Sequence, residues 1–388
     1  MNQPSTQPEH ESGHGSGPTL AKGRNQFPCE QCGAVLRYAI GTRELSCEYC
    51  GHSNAIAEAE TEIREHDLAD ALRELDSEPL RERQASHIRC QSCGARFELS
   101  SGVHAGECVF CSEPVVLDTA TDLAFQPESL LPLSIDEKSA KSACEAWLSG
   151  LWFAPSALQR VAETDQRFSA VFLPYWTYDS DTTTRYQGQR GESYTERRAV
   201  WVTRKGKRVR EVRQVTKVKW YPASGRVSRH FDDVLIGASR TLPRQITDRL
   251  APWDLDALVP YQPQWLSGSQ SEVYQVALDE GFEIAQQVMK TVITGDVKRH
   301  IGGDFQRITG MQTRHQGATF KHILLPVWMA SFRFAGTRYR FLVNARSGKV
   351  AGERPWSAVK IALAITAAVA LAAGVAWVAY TQGYFQYA

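Results

Sequence analysis

Four C-x-x-C pairs near the N-terminus, a strand-like middle and twenty uncharged residues near the C-terminus predict a multi-domain chain. The expected fold class is two small β zinc ribbons, an α+β strand-rich domain and one C-terminal transmembrane helix. The divisions fall at 1–24 (a disordered arm), 25–56 (first ribbon), 57–86 (an acidic helical spacer) and 87–118 (second ribbon). An α+β soluble domain follows at 119–356, then a transmembrane helix at 357–380 and a short non-cytosolic tail at 381–388.

The N-terminal arm is rich in Pro, Ser, Gly and Gln and poor in large apolar side chains. Such a stretch cannot bury enough surface to offset its ordering entropy. It also lacks the apolar centre of a secretory signal peptide, so the bulk of the chain is expected in the cytosol. The formal net charge is only +1, so bulk electrostatics select no partner.

Eight of the nine cysteines fall into matched sets: Cys29, Cys32, Cys47 and Cys50, then Cys90, Cys93, Cys108 and Cys111. In each set 14 residues separate the two pairs, and the sets open alike, CEQCGA and CQSCGA, which makes them an internal repeat. A C-x-x-C turn aims two thiolates at one point, and a second turn completes a tetrahedron with Zn–S near ~2.3 Å. Gly33, Gly51 and Gly94 follow the second cysteine of their pairs, where the turn needs a permissive backbone. Each intervening hairpin is too short for a core, so metal must supply the folding energy, about 10–16 kcal/mol for a structural zinc site. Disulfides are disfavoured in a reducing compartment. A redox C-x-x-C stands alone before a helix, and a catalytic zinc keeps an open position. Two structural Zn²⁺ ions are therefore expected. The ninth cysteine, Cys144, sits in a helical stretch and reads as a buried free thiol.

From Ile361 to Tyr380 the chain carries no charge over the length an α-helix needs to cross a ~30 Å hydrocarbon core. Trp356 precedes the run, and Trp377, Tyr380 and Tyr384 cluster at its end as interfacial anchors do. Lys349, Arg354 and Lys360 lie before it, while the eight residues after it are uncharged. The positive-inside rule then keeps the large N-terminal part cytosolic, in a single-pass protein of the inner (cytoplasmic) membrane. The competing reading is a buried helix of the soluble domain.

Between these ends, residues 57–78 favour helix, with Leu68, Leu72 and Leu75 as an apolar stripe and a net charge of −7. Residues 134–163 are expected to be helical with Ser134 as N-cap, and 271–300 to form a long helix interrupted at Gly281 and Gly295. Strands are expected from Val171 onward, with a strand pair turning at Gly206 and another through 320–350. LPYW at 173–176 and LPVW at 325–328 suggest a second, divergent repeat.

Residues 197–229 hold twelve Lys and Arg against one acid, Glu211, with Trp201, Trp220 and Tyr221 interleaved. The basic surface is assigned to Arg204, Lys205, Lys207, Arg208, Arg210, Arg213, Lys217 and Lys219. Three readings stay open: a nucleic-acid contact, an anionic lipid contact, or a solvated hairpin docked on the acidic helix. No phosphate-binding loop, dinucleotide fingerprint, nucleophile elbow or zinc-protease motif occurs, and the ten histidines lack metal-ligand spacing. Asp232–Asp233 and the Asp254/Asp256 pair read as turn or capping residues. No enzyme is expected.

The stretches FLPYWTYDSDTTTRYQGQRGE (172–192), TKVKWYPASGRVSRHFDDVLI (216–236), PWDLDALVPYQPQWLSG (252–268), VKRHIGGD (297–304) and 320–356 resemble a bacterial family of tail-anchored zinc-ribbon proteins. Its members often carry automatic names such as "primosomal protein N′ (replication factor Y), superfamily II helicase" or "TFIIB-type zinc ribbon protein". A helicase needs a nucleotide-binding loop, so that activity does not carry over. The resemblance implies work with SPFH/flotillin-like or phage-shock-protein-A-like proteins at the membrane. The function expected is a non-enzymatic adaptor or scaffold on the cytosolic face of the inner membrane. The alternative is a nucleic-acid-binding protein tied to replication or transcription, without helicase activity.

Overall fold

The computed structural model describes residues 27–381 apart from 28, 35, 59–61, 78–86, 90–93, 99–104, 108–109, 111–113, 118–124, 156–167, 205–206 and 335. The first cysteine-rich unit is a three-stranded antiparallel sheet of β1 (Arg37–Tyr38), β2 (Glu44–Ser46) and β3 (Ser53–Ala55). β4 (His66–Asp67) and α1 (Leu68–Ser77) follow. The second unit supplies β5 (His87–Arg89), β6 (Arg96–Glu98), β7 (Ala105–Glu107) and β8 (Pro114–Leu117). Then come β9 (Ser129–Leu130), α2 (Glu137–Ser149), β10 (Ser169–Arg204), β11 (Lys207–Gly237), α3 (Arg244–Thr247), β12 (Val259–Pro260) and β13 (Gln270–Glu272). The chain ends with α4 (Leu278–Ile301), β14 (Phe305–Phe334), β15 (Thr337–Asn344), β16 (Val350–Gly352) and α5 (Ala358–Thr381).

The centre is one long antiparallel ladder between β10 and β14, with Leu173 directly opposite Leu325. LPYW and LPVW therefore meet at their first residues and run away from that pair in opposite directions, and the contacts around them repeat. The amides of Ala238 and Ala345 donate to the carbonyls of Pro174 and Pro326 at 2.9 and 3.1 Å. The carbonyl of Ala238 accepts from Gln275 and Val276, and that of Ala345 from Ser134 and Ile135. The indole of Trp176 donates to the Val276 carbonyl at 3.0 Å, and that of Trp328 to the Ile135 carbonyl at 2.9 Å. Each accepting carbonyl lies two residues before a helix, α4 or α2. Two units thus meet about a pseudo-two-fold axis between Leu173 and Leu325. They are interleaved: β13 pairs in parallel with β10, and β9 with β14.

Strand alternation assigns the core. Phe172, Leu324, Trp328 and Phe341 face α2 and the first cysteine-rich unit. Trp176, Tyr178 and Phe320 face α4. Val171, Leu173, Ile323 and Leu325 fill the opposite side of the sheet, against Leu242, Ile246 and Leu250. At roughly 25 cal/mol per Å² of apolar area, these double-sided strands carry much of the domain's stability.

Three helix expectations change. Within 57–78 the helix begins at Leu68, because His66 and Asp67 pair with Phe320 and Thr319 of β14. α2 starts at Glu137 with Asp136, not Ser134, as its cap: an Asp136 carboxylate oxygen accepts from the Ser139 amide at 2.8 Å. Ser134 instead donates to the carbonyls of Ala345 and Arg346. Residues 270–272 are strand, and α4 runs unbroken through Gly281 and Gly295. Gly281 is required there, since a Cβ would lie 2.3 Å from the Tyr178 hydroxyl.

Candidate metal centre and the basic arm

Two tight turns build the cysteine site. The amides of Gly33 and Gly51 donate back to the carbonyls of Cys29 and Cys47 at 2.8 and 2.9 Å, with both glycines at positive φ, 76° and 74°. Cys29 Sγ lies 3.6 Å from Cys50 Sγ, and Cys32 Sγ lies 3.6 Å from Cys47 Sγ. All four sulfurs fall within 4.8 Å of one another. A regular tetrahedron with ~2.3 Å Zn–S bonds has edges of about 3.8 Å, so the four thiols can hold one zinc ion. The amides of Cys50 and Tyr49 favour the Cys47 thiolate and bring its pKa down to about 7. The His52 amide favours the Cys50 thiolate too, yet desolvation and the neighbouring thiols push Cys50 up to about 12. A second thiolate in this cluster is therefore costly unless a cation shares the charge.

The unit is packed into the body of the protein. The Tyr38 amide donates to the Ser267 carbonyl at 3.0 Å, the Ser267 hydroxyl to the Leu36 carbonyl at 2.6 Å, and Tyr38 meets Trp265 edge-on at 5.2 Å. Cys90, Cys93, Cys108 and Cys111 lie outside the described residues, so a second site is not shown. Their hairpin strands are present: β6 pairs with β5 and, through Ser271 and Glu272, with β13. Gly94 takes φ 74°, matching Gly33 and Gly51. Cys144 is a buried free thiol, raised to about 12 by burial.

One member of each acidic pair, Asp233 and Asp254, is engaged within the fold. Asp233 takes φ 50° at a bulge between β10 and β11, its amide donating to Asp179 at 2.5 Å. Lys321 bridges Asp233 at 2.9 Å and Glu65 at 3.1 Å. The acidic segment thus docks on the root of the sheet through Glu65, His66 and Asp67. Asp254 is held by Arg346.

β10 and β11 pair without a break from Ser180 to Arg204, where Arg204 lies opposite Lys207 at the end of the expected strand pair. β14 accompanies them as far as Gly191, and the last thirteen residues of β10 form a two-stranded tip. α4 lies along one face, where Arg229 forks onto Asp296 and the Tyr186 hydroxyl meets His300 Nδ1 at 2.5 Å. Lys207, Arg208, Arg210, Arg213 and Lys219 are exposed, while Lys217 is half-buried and paired with Glu196. Lys205 and the Arg204 side chain lie outside the described residues. The basic residues do not form one surface. Lys207, Arg213, Lys217 and Lys219 project on the α4 side, and Arg208 and Arg210 on the other, because their positions in the ladder alternate.

α5 is a 24-residue helix with a 22-residue segment long and apolar enough to cross a membrane, none of whose most apolar window is buried in the protein. Its entry is anchored by the Ser357 amide on the Phe153 carbonyl and the Lys360 ammonium on the Ala154 carbonyl, both at 2.8 Å. β16 is antiparallel to β15, hence runs with β14 and against β10. The chain therefore enters α5 at the end of the sheet opposite the basic arm.

Over 343 residues the chain is 22% identical to "Uncharacterized protein YdjG" of Bacillus subtilis (strain 168), covering 87% of this chain and 92% of the relative. No protein-family model and no solved structure matches it.

Proposed function

We propose that this protein is a membrane-anchored zinc-ribbon adaptor, non-enzymatic, holding its body on the cytosolic face of the bacterial inner membrane. The observation that carries the reading is α5, uncharged from Ile361 onward and with none of its most apolar window buried, whose side chains need a nonaqueous partner. The basic residues Arg354 and Lys360 at its start favour the orientation with the N-terminal part inside. Each cysteine set would hold one structural zinc ion. The first, rigidly docked through Tyr38 and Ser267, would present its exposed turn residues to a protein partner. The resemblance to tail-anchored zinc-ribbon proteins makes SPFH/flotillin-like or phage-shock-protein-A-like proteins the first partners to test.

Deleting residues 357–388 is expected to move the protein from the membrane to the soluble fraction. Persistent membrane association of the truncated chain contradicts the anchor. Crosslinking from membranes, with and without residues 25–118, is expected to lose a specific protein partner with that deletion; an unchanged crosslinking pattern contradicts the adaptor role of the ribbons.

A further inference from the structure

The long arm has two chemically different faces. Residues opposite one another in an antiparallel ladder share a face, and successive residues alternate. On the α4 side, the two-stranded tip carries Glu192, Glu196 and Glu211, and each is paired there, with Arg190, Lys217 and Arg213 respectively. The outer face takes the other set. Its three-stranded part bears Arg185 opposite Arg226, with Arg307 and Arg314 on β14. Its tip bears Arg197, Arg208 and Arg210. All seven arginines are exposed, and among the described residues none of them is ion-paired. The carboxylates nearest this face are already engaged: Asp181 with His230 at 2.8 Å, and Asp304 with Ser193. Aromatic rings share the face. Trp201 is 69% exposed and Phe305 47% exposed, while Trp220 lies beneath the Arg307 guanidinium at 4.6 Å. Gly191 makes room for Phe305 and Trp220, since a Cβ there would lie 3.0 Å from each.

From the level of Thr183 to that of Thr203 the arginines extend over roughly 70 Å at ~3.4 Å per residue. That is a linear array, longer than the footprint of a standard folded partner, which at about 800 Å² per side is roughly 32 Å across. Among the described residues every Lys or Arg on the outer face is Arg, whose planar fork matches phosphate oxygens in pairs; Lys207, Lys217 and Lys219 of the tip lie on the other face. Between them stand uncharged hydrogen-bonding residues such as Gln187, Gln189, Ser224 and Gln312. A bilayer is a poor fit, because the arm projects from the end of the sheet opposite α5. We propose that this outer face binds single-stranded nucleic acid, its phosphates on the arginines and its bases stacked on Trp201 and Phe305. The preference over lipid rests on α5 being the anchor; the nucleic-acid contact itself does not.

The test uses the full-length, zinc-replete chain in zwitterionic nanodiscs, with labelled 30-nucleotide oligo(dT) and oligo(U), a duplex of equal length, and phosphatidylglycerol vesicles as probes. Binding of the single strands is expected, with log Kd rising against log salt at about 0.7 per phosphate neutralised, toward a slope near 5. The outer-face variant Arg197→Glu/Arg210→Glu/Arg226→Glu is expected to weaken binding at least tenfold, and Trp201→Ala about tenfold. The variant Arg198→Glu/Arg213→Glu, on the α4 side, is expected to stay within about threefold. All these side chains are exposed, so matched thermal unfolding checks that each variant folds. No binding at low salt, equal loss from both faces, or equal affinity for duplex overturns the proposal. So does a response to the outer arginines confined to phosphatidylglycerol vesicles.

Discussion

Leu173 lies opposite Leu325 at the midpoint of the central ladder, and each backbone contact described on one side has a counterpart on the other. The two tryptophans three residues on, Trp176 and Trp328, hold the entry of the helix contributed by the other unit. Replacing either by Phe keeps most of the buried area and deletes one indole hydrogen bond. Each change is expected to cost about 1–3 kcal/mol, since a buried carbonyl is left without its donor. Urea unfolding of the two variants checks it, and costs that differ several-fold contradict the equivalence.

Gly281 and Gly295 lie in the same helix and are expected to respond in opposite directions. An added methyl at Gly281 meets the Tyr178 hydroxyl, itself bonded to the Leu278 carbonyl at 2.7 Å, and Trp176 at 3.0 Å. Gly281→Ala should destabilise by about 2 kcal/mol or more through overpacking. Nothing lies within 4 Å of a Cβ at Gly295, so Gly295→Ala should stabilise by about 0.5–1 kcal/mol through helix propensity. Thermal unfolding separates the two.

His322 is fully buried against Trp176 and Tyr274, and burial lowers its pKa from 6.5 to about 4, partly opposed by the Gln126 and Phe125 carbonyls. The unfolded chain takes up a proton below 6.5 that the folded chain refuses until about 4. Stability is therefore lost as pH falls through that window, by about 3 kcal/mol at most. Burial lowers His315 as well, in the same direction. His322→Phe should flatten the pH dependence of unfolding between pH 6.5 and 4; an unchanged slope contradicts the assignment.

Removing metal should act on the body as well as on the ribbon. Cys47→Ser is expected to lower bound zinc by one equivalent and to expose the Tyr38–Trp265 contact, read as a change in tryptophan emission. Chelation should become easier as pH falls, because thiolates must be protonated as the metal leaves. Full zinc content in the variant contradicts the four-thiol site.

Much of this molecule was legible before any coordinates. The four-cysteine set, the apolar helix, the strand pair that closes with Arg204 opposite Lys207 and the LPYW/LPVW repeat all follow from spacing or alternation, which local geometry converts directly into structure. Helix boundaries were less legible. His66, Asp67 and residues 270–272 favour helix by neighbourhood, but a free strand edge claimed their backbone.

What the sequence determined by itself is chemistry fixed by short-range geometry: four thiols converging on one point, and a helix with twenty uncharged residues from Ile361 to Tyr380. Only the tertiary structure decided how the basic hairpin divides into two faces, and that it leaves the sheet at the end opposite α5. Charge count along a chain does not say which residues alternate onto which side. The register of β11 and β14 against β10 does, because a one-residue slip would exchange the faces.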